Sequence, residues 1–271
     1  MSAVFNWAIK YLFKGWGQRV SDLSWWADSF PEFVKHLATQ LRCPYAFVIG
    51  FVDGTFIETC RPHEDTFAGV DQQDVYNGHH KGHGLQFLSL MFPNGMFCLW
   101  GPYEGKRHDA YLMAKAGILD SLRNLDVFGP GGELLQRFAV FGDSAFPRTR
   151  WSYRMLKGQL DNAAALLNAV MSCFRQTVEW NFGKVTNVFT YVKFCYGLHI
   201  QGHPVGKFVH IAALLTNVHT TVYGCQTTAY FKSHDMLERM SLERYLDVQG
   251  QFPLYKWRLL KEDGGGNEAM V

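Results

Sequence analysis

Apolar residues recur at helical spacing from the start of the chain. Phe5, Ile9, Leu12 and Phe13 fall on one helix face, and a second helical run, Phe30 to Leu41, follows Ser29, a candidate N-cap. The first 42 residues therefore read as helical. From Tyr45 the pattern changes to short β-rich runs: Ala46 to Phe56, Gly84 to Phe92 and Met96 to Trp100, the last two joined by the turn signal Pro93-Asn94-Gly95. A helix is predicted from His108 to about Leu125, after which Pro130-Gly131-Gly132 breaks the chain. Phe138 to Phe141 reads as a short strand ending in Gly142-Asp143-Ser144. Long helical patterns follow over Asn162 to Phe189 and Pro204 to Tyr223. Three strands, a helix, a strand and then helices predict a mixed α/β sheet flanked by helices, with an N-terminal helical segment. The tail after Leu259, with Gly264-Gly265-Gly266, is expected to be mobile.

Composition narrows the function classes. The 271 residues are 48% hydrophobic and 18% charged, a balance that supports a packed core and excludes wholesale disorder. Twenty-six Lys+Arg against 24 Asp+Glu give a formal charge of +2, too little for long-range attraction of a polyanion. Any nucleic-acid role must rest on a local basic face. Six scattered cysteines with no C-x-x-C pair read as free intracellular thiols. The apolar runs Tyr45 to Val52 and Phe208 to Leu215 are too short to span a bilayer, so no membrane role is expected. With no G-x-S-x-G, no P-loop and no G-x-G-x-x-G after a strand, serine-hydrolase, nucleotide-triphosphatase and dinucleotide readings fall away.

Three acids stand out by position. Asp53 ends the apolar run Ala46 to Val52 and precedes Gly54; Asp143 repeats that arrangement after Phe138 to Phe141, beside Gly142; Glu179 lies within the long helix between Val178 and Trp180. A strand-end Asp beside Gly is commonly a turn residue, and a mid-helix Glu commonly faces solvent. Together, three carboxylates aimed at one sheet face would repel one another unless a cation held them. Mg²⁺ prefers such oxygen ligands, and two ions about 3.5 to 4 Å apart can serve phosphodiester chemistry.

Four separated blocks carry a family likeness. Phe51-Val52-Asp53-Gly54-Thr55-Phe56-Ile57, then Gly101-Pro102 through Gly105-Lys106-Arg107-His108-Asp109, then Phe141-Gly142-Asp143-Ser144-Ala145-Phe146-Pro147, then Arg175 through Val178-Glu179-Trp180-Asn181-Phe182-Gly183-Lys184, occur in order. Over roughly residues 45 to 225 the chain resembles the DDE-type transposase/endonuclease domain of the PIF/Harbinger class. The resemblance implies an RNase H-like fold, with Asp53 bridging two divalent ions, Mg²⁺ or Mn²⁺, and Asp143 and Glu179 each completing one site. It implies strand cleavage by metal-activated water and, in a complete transposase, attack of the freed 3′-hydroxyl on target DNA. DNA, a Myb-like DNA-binding partner protein, a second copy of the chain and a nuclear address are the implied associations. A non-catalytic DNA- or protein-binding descendant that keeps the fold is the alternative. About 45 residues precede the first strand, leaving little room for the helix-turn-helix region that family members commonly carry upstream. The expected organisation is a helical segment over 1–44, the nuclease domain over 45–225 and a partly mobile extension over 226–271.

The remaining candidates concern phosphate. Asp109 matches a recurrent His-Asp pair of the family and is read here as a helix cap, favoured by unpaired amides and the helix dipole. Lys81, in the polar segment Tyr76 to Gly84, is a candidate DNA contact, and Arg148, Arg150 and Lys184 are candidates to neutralise phosphates beside the metals. His79 and His83 have the i, i+4 spacing of a metal pair, but Gly78, Gly82 and Gly84 argue against a helix there. Trp25, Trp26, Phe182 and Phe189 are expected in the core.

Overall fold

The computed structural model describes residues 3–62, 71–128, 134–193, 197–200, 202–238 and 240–246. In chain order the elements are helix α1 (Ala3–Ser21), a 3₁₀ segment (Leu23–Ser29), α2 (Phe30–Thr39), β1 (Val48–Glu58), α3 (Gln72–Val75), β2 (Tyr76–Asn77), β3 (Gly82–Met91) and β4 (Phe97–Glu104). Then come α4 (Asp109–Ala116), α5 (Ile118–Arg123), β5 (Val127–Phe128), β6 (Leu134–Gln136), β7 (Ala139–Gly142), β8 (Ser152–Arg154) and α6 (Asn162–Val188). After α6 follow a 3₁₀ turn (Thr190–Val192), α7 (Val205–Tyr223), α8 (Gln226–Tyr230), α9 (His234–Glu238) and α10 (Leu242–Leu246). The break at Pro130-Gly131-Gly132, Cys195 and the tail after Leu259 lie outside the described residues.

The sheet is mixed, as the sequence predicts. β1 pairs antiparallel with β3 and parallel with β7, which pairs parallel with β8; β4 and the short β2 both pair with β3. Three antiparallel strands joined to two parallel ones and flanked by helices agree with the expected RNase H-like arrangement. The fully buried runs in β3 and β4 reflect a sheet covered on both faces, where alternation gives way to continuous apolar sequence. β5 and β6 form a separate two-stranded ribbon.

Packing of the long helix on β1 sets up the site. α6 begins where the Asp161 carboxylate accepts a hydrogen bond from the Ala164 amide at 2.7 Å, an N-cap that satisfies one of the helix's unpaired donors. It buries Met171, Phe174, Thr177, Val178, Asn181 and Val185 at helical spacing. Phe174 packs against Phe51 of β1 at a ring separation of 5.8 Å, and Phe231 stacks on the same ring at 5.9 Å. The N-terminal helices are part of this core: Trp26, Phe30 and Phe33 gather around Phe92, just past β3. Asn217 of α7 brackets Phe97 of β4 with two hydrogen bonds, 3.1 Å from the Phe97 amide and 2.8 Å to its carbonyl.

Several local expectations are corrected. Ser29 occupies the N-cap position of α2 but has helical dihedrals and makes no side-chain cap bond, because the preceding 3₁₀ segment delivers the chain already wound. The predicted helix from His108 to Leu125 is two helices, divided at Gly117, whose φ of 66° is left-handed. Trp26 is buried as expected, while Trp25 lies exposed beneath the Arg19 guanidinium at 3.4 Å. Among the described residues no helix is long and apolar enough to cross a membrane, and Cys43, Cys60, Cys98, Cys173 and Cys225 are free thiols.

Phe51 is fully buried between β7 and α6. Phe51→Ala is expected to cost about 3–5 kcal/mol in urea denaturation; a loss below 1 kcal/mol would show that this ring does not seat the helix.

Candidate active site

Strand register brings the first two acids together. Phe51 and Phe141 are direct partners across the parallel β1–β7 pair, and two residues further along each chain come Asp53 and Asp143. Since side chains alternate with a period of two, Asp53 leaves the face that Phe51 occupies, and Asp143, one residue past the end of β7, is close enough to act on its charge. That face is the one on which Phe174 of α6 packs. Arg175 follows Phe174, and Glu179 lies one turn beyond Arg175, so the helix supplies a cation and an acid to the same place.

Arg175 ties the pieces into one cluster. Its Nη1 pairs with Asp53 Oδ2, and its Nη2 lies 3.2 Å from Glu179 Oε1. The Asp53 and Arg175 side chains are 17% and 20% exposed, whereas Glu179 is 56% exposed at the rim. Asp53 also accepts a hydrogen bond from the Gly54 amide at 3.1 Å through its other oxygen. Asp143 Oδ1 accepts from the Ala145 amide at 2.7 Å, so the turn role expected of a strand-end Asp is real and occupies one of its two oxygens.

A fourth acid joins them. His108, and not Asp109, is the N-cap residue of α4, and it makes no side-chain cap bond. Asp109 is the first helical residue; its Oδ1 lies so close to Gly54 that a Cβ there would sit 2.3 Å from it. The capping role read from the sequence is therefore replaced by a place against Gly54, on the other side of β1 from the Asp53 side chain, from which the Asp109 charge still acts on Asp53. The charges confirm this. Burial raises the Asp53 pKa from 3.8 to about 7; Arg175 opposes the shift, and Asp109, Asp143 and Glu179 add to it. Asp109 is raised as well, by burial and then by Asp143, with His108 and Arg175 opposing.

The four basic candidates behave differently. Lys184 donates to Thr220 Oγ1 at 2.9 Å and to the Gly224 carbonyl at 3.4 Å, and burial lowers its pKa. Its titratable neighbours are Cys225 and His219, so it latches α6 to the end of α7 rather than joining the acids. Arg148 and Arg150 are exposed beyond β7, Arg148 beside Tyr45, and neither acts on Asp53 or Asp109. Lys81 is exposed at the tip of the β2–β3 hairpin with a φ of 54°. His79 lies in that turn and His83 in β3, so the helical face their spacing would need does not exist.

Carboxylate oxygens fit a divalent cation in chemistry, and the like charges that add to the effect of burial on Asp53 are what such an ion would relieve. Asp53 and Glu179 are instead paired with Arg175. Among the described residues, no group of three or more His, Cys, Asp or Glu stands ready to hold a metal ion.

A family model described as DDE superfamily endonuclease matches residues 52–217. The chain belongs to the DDE superfamily endonucleases. The match begins at the residue before Asp53 and runs into α7, so this endonuclease domain contains the whole acid cluster and the helix that carries Arg175 and Glu179. No curated protein and no solved structure matches the chain.

The raised Asp53 pKa fixes a sign. Well below pH 3.8 the carboxyl is protonated in both folded and unfolded chains; between 3.8 and about 7 the folded state holds the extra proton, so stability falls as pH rises through that window. The loss is about 4 kcal/mol at most for this group. In EDTA, urea midpoints are expected to fall from pH 4 to pH 7 and Asp53→Asn to flatten the slope, leaving the decline due to Asp109. Parallel profiles for the two proteins would contradict the assignment. Arg175→Met, which removes the opposing cation, is expected to steepen the same slope.

Proposed function

We propose that this endonuclease domain cleaves DNA phosphodiester bonds by a two-metal mechanism in which Asp53, Asp143 and Glu179 would hold Mg²⁺ or Mn²⁺. The observation that supports this most directly is that Asp109, Asp143 and Glu179 all act electrostatically on the buried Asp53, against the opposing charge of Arg175. A structural cluster has no need of four repelling carboxylates; a site for cations does. When bound, the ions supply an activated attacking oxygen and stabilise the leaving one.

The protein's own groups have distinct parts. Arg175 neutralises Asp53 and Glu179 until those oxygens are required, and its release places a guanidinium beside the phosphate being cleaved. Asp143 is held by its turn bond to Ala145, which leaves its second oxygen for the site. Asp109 deepens the negative field from the far side of Gly54. The resemblance to the PIF/Harbinger class extends the proposal to strand transfer, a nuclear address, a Myb-like partner for sequence recognition and assembly with a second copy.

The competing reading, a non-catalytic descendant that binds DNA or protein, is distinguished by metal uptake. Asp53→Ala, Asp143→Ala and Glu179→Gln are each expected to abolish Mn²⁺-dependent nicking of supercoiled plasmid, a loss of at least about a hundredfold, and to weaken Mn²⁺ binding in calorimetry. Wild-type activity in all three folded variants would refute the catalytic assignment. Absence of carboxylate-dependent Mn²⁺ uptake by the intact chain, with and without DNA, would favour the binding-only protein.

A further inference from the structure

The last turns of α6 and the end of α7 border a pocket of about 440 Å³ that none of the four clustered acids lines. Lys184 and His219 line it, and no Asp or Glu does. We infer that this pocket is a binding site for a phosphate group, free or in a DNA backbone; the second case rests on the DNA-cleaving function proposed above, and the first does not.

Lys184 supplies the charge. Its ammonium donates to the Thr220 hydroxyl and the Gly224 carbonyl, both neutral acceptors. No carboxylate is among the groups that act on it, and burial, opposed only by Cys225, lowers its pKa. A half-buried cation with neutral contacts alone keeps its charge uncompensated, and its third N–H remains for another acceptor. Lysine binds phosphate in this manner, as a point charge.

Two further polar groups in the walls lack partners. Asn181 lies one turn of α6 before Lys184 and is only 3% exposed, and its Nδ2 has no hydrogen-bond partner among the described residues. His219 of α7 faces the same pocket from the other helix, and its Nδ1 has none either. Buried polar atoms are almost always paired, so two such atoms in the walls around an uncompensated ammonium point to a ligand rich in acceptors. A phosphate group offers several oxygens to separate donors, together with the negative charge that Lys184 lacks beside it. In the tautomer protonated at Nδ1, His219 is one of those donors.

The space is kept by a glycine. Gly183 lines the pocket inside α6, and a Cβ there would meet no atom within 4 Å. Glycine weakens a helix interior relative to alanine, and here no neighbouring atom requires it. Its effect is to leave the wall beside Lys184 low. The phosphate role expected of Lys184 thus returns at another place on the helix, away from the acids.

The test is thermal unfolding of the full chain in EDTA, in sodium phosphate and in sodium chloride of equal ionic strength. Phosphate is expected to raise the midpoint by about 2 °C or more. Gly183→Leu, which fills the pocket from a helical position with no atom in the way, is expected to remove the rise. Lys184→Met is expected to do the same; because it also loses the bonds between α6 and α7, the leucine variant decides if the methionine variant does not fold. A labelled duplex oligonucleotide, followed by fluorescence anisotropy in EDTA, separates the two sources. Weaker binding by Gly183→Leu, with a salt slope smaller by about 1, puts a backbone phosphate in the pocket. Unchanged duplex binding beside a pocket-dependent rise makes free phosphate the ligand. A rise that persists in Gly183→Leu, as general exclusion of phosphate from protein surfaces would give, overturns the inference. So does the absence of any rise in wild type together with unaltered duplex binding by the variant. Neither readout uses a metal, so failure to nick plasmid would leave this site standing, and failure here would leave the carboxylate variants' results untouched.

Discussion

Like charge held at close quarters is the constraint around which this domain is arranged. Asp53, Asp109, Asp143 and Glu179 repel one another in a partly desolvated place, and the fold keeps them there by fixing each on a separate, well-anchored element. Asp53 sits on a central strand whose Phe51 is clamped by Phe141, Phe174 and Phe231. Asp143 is held by a turn, Glu179 by a capped helix, and Asp109 by the first turn of α4, where the helix dipole favours its charge. Apolar burial elsewhere offsets the electrostatic cost of this arrangement, in which desolvation of Asp53 itself raises its pKa to about 7.

Glycine has a specific part in this arrangement. Any side chain at position 54 would meet the Asp109 carboxylate, so the glycine that follows Asp53 keeps the fourth acid within reach of the other three. The pairing of Asp with Gly in Val52-Asp53-Gly54-Thr55 is therefore a steric requirement within β1, where the strand continues to Glu58, and not a turn. At Gly142 the same logic acts on packing, because a Cβ there would lie 2.5 Å from the Phe146 ring, which fills the space behind Asp143.

What could be read from the sequence follows the range of the physics involved. Strands β1, β3, β4 and β7 and the long helix α6 were legible because their apolar patterns are local. Asp53 and Asp143 were legible because each ends such a run, and Glu179 because it lies on the helix expected to cover the sheet. Strand β2, two residues long, exists only through its pairing with β3 and has no pattern of its own. Gly117 did carry a signal, a glycine inside a helical pattern, that marked the division of α4 from α5. Arg175 was visible too, four residues before Glu179 and so on the same helix face. Lys184, five residues after Glu179, lies about 140° around the helix from it, which already argued against its serving the same site. Asp109 was the hard case: its role depends on how closely α4 approaches Gly54, and no local pattern encodes that distance.

Arg175 stands at the centre of the balance among the four acids, since its guanidinium is the counter-charge paired with both Asp53 and Glu179. Without it, burial and the charges of Asp109, Asp143 and Glu179 would all act on Asp53 in the same direction, so the arginine that ties the long helix to β1 is also what holds the charge of the cluster in check.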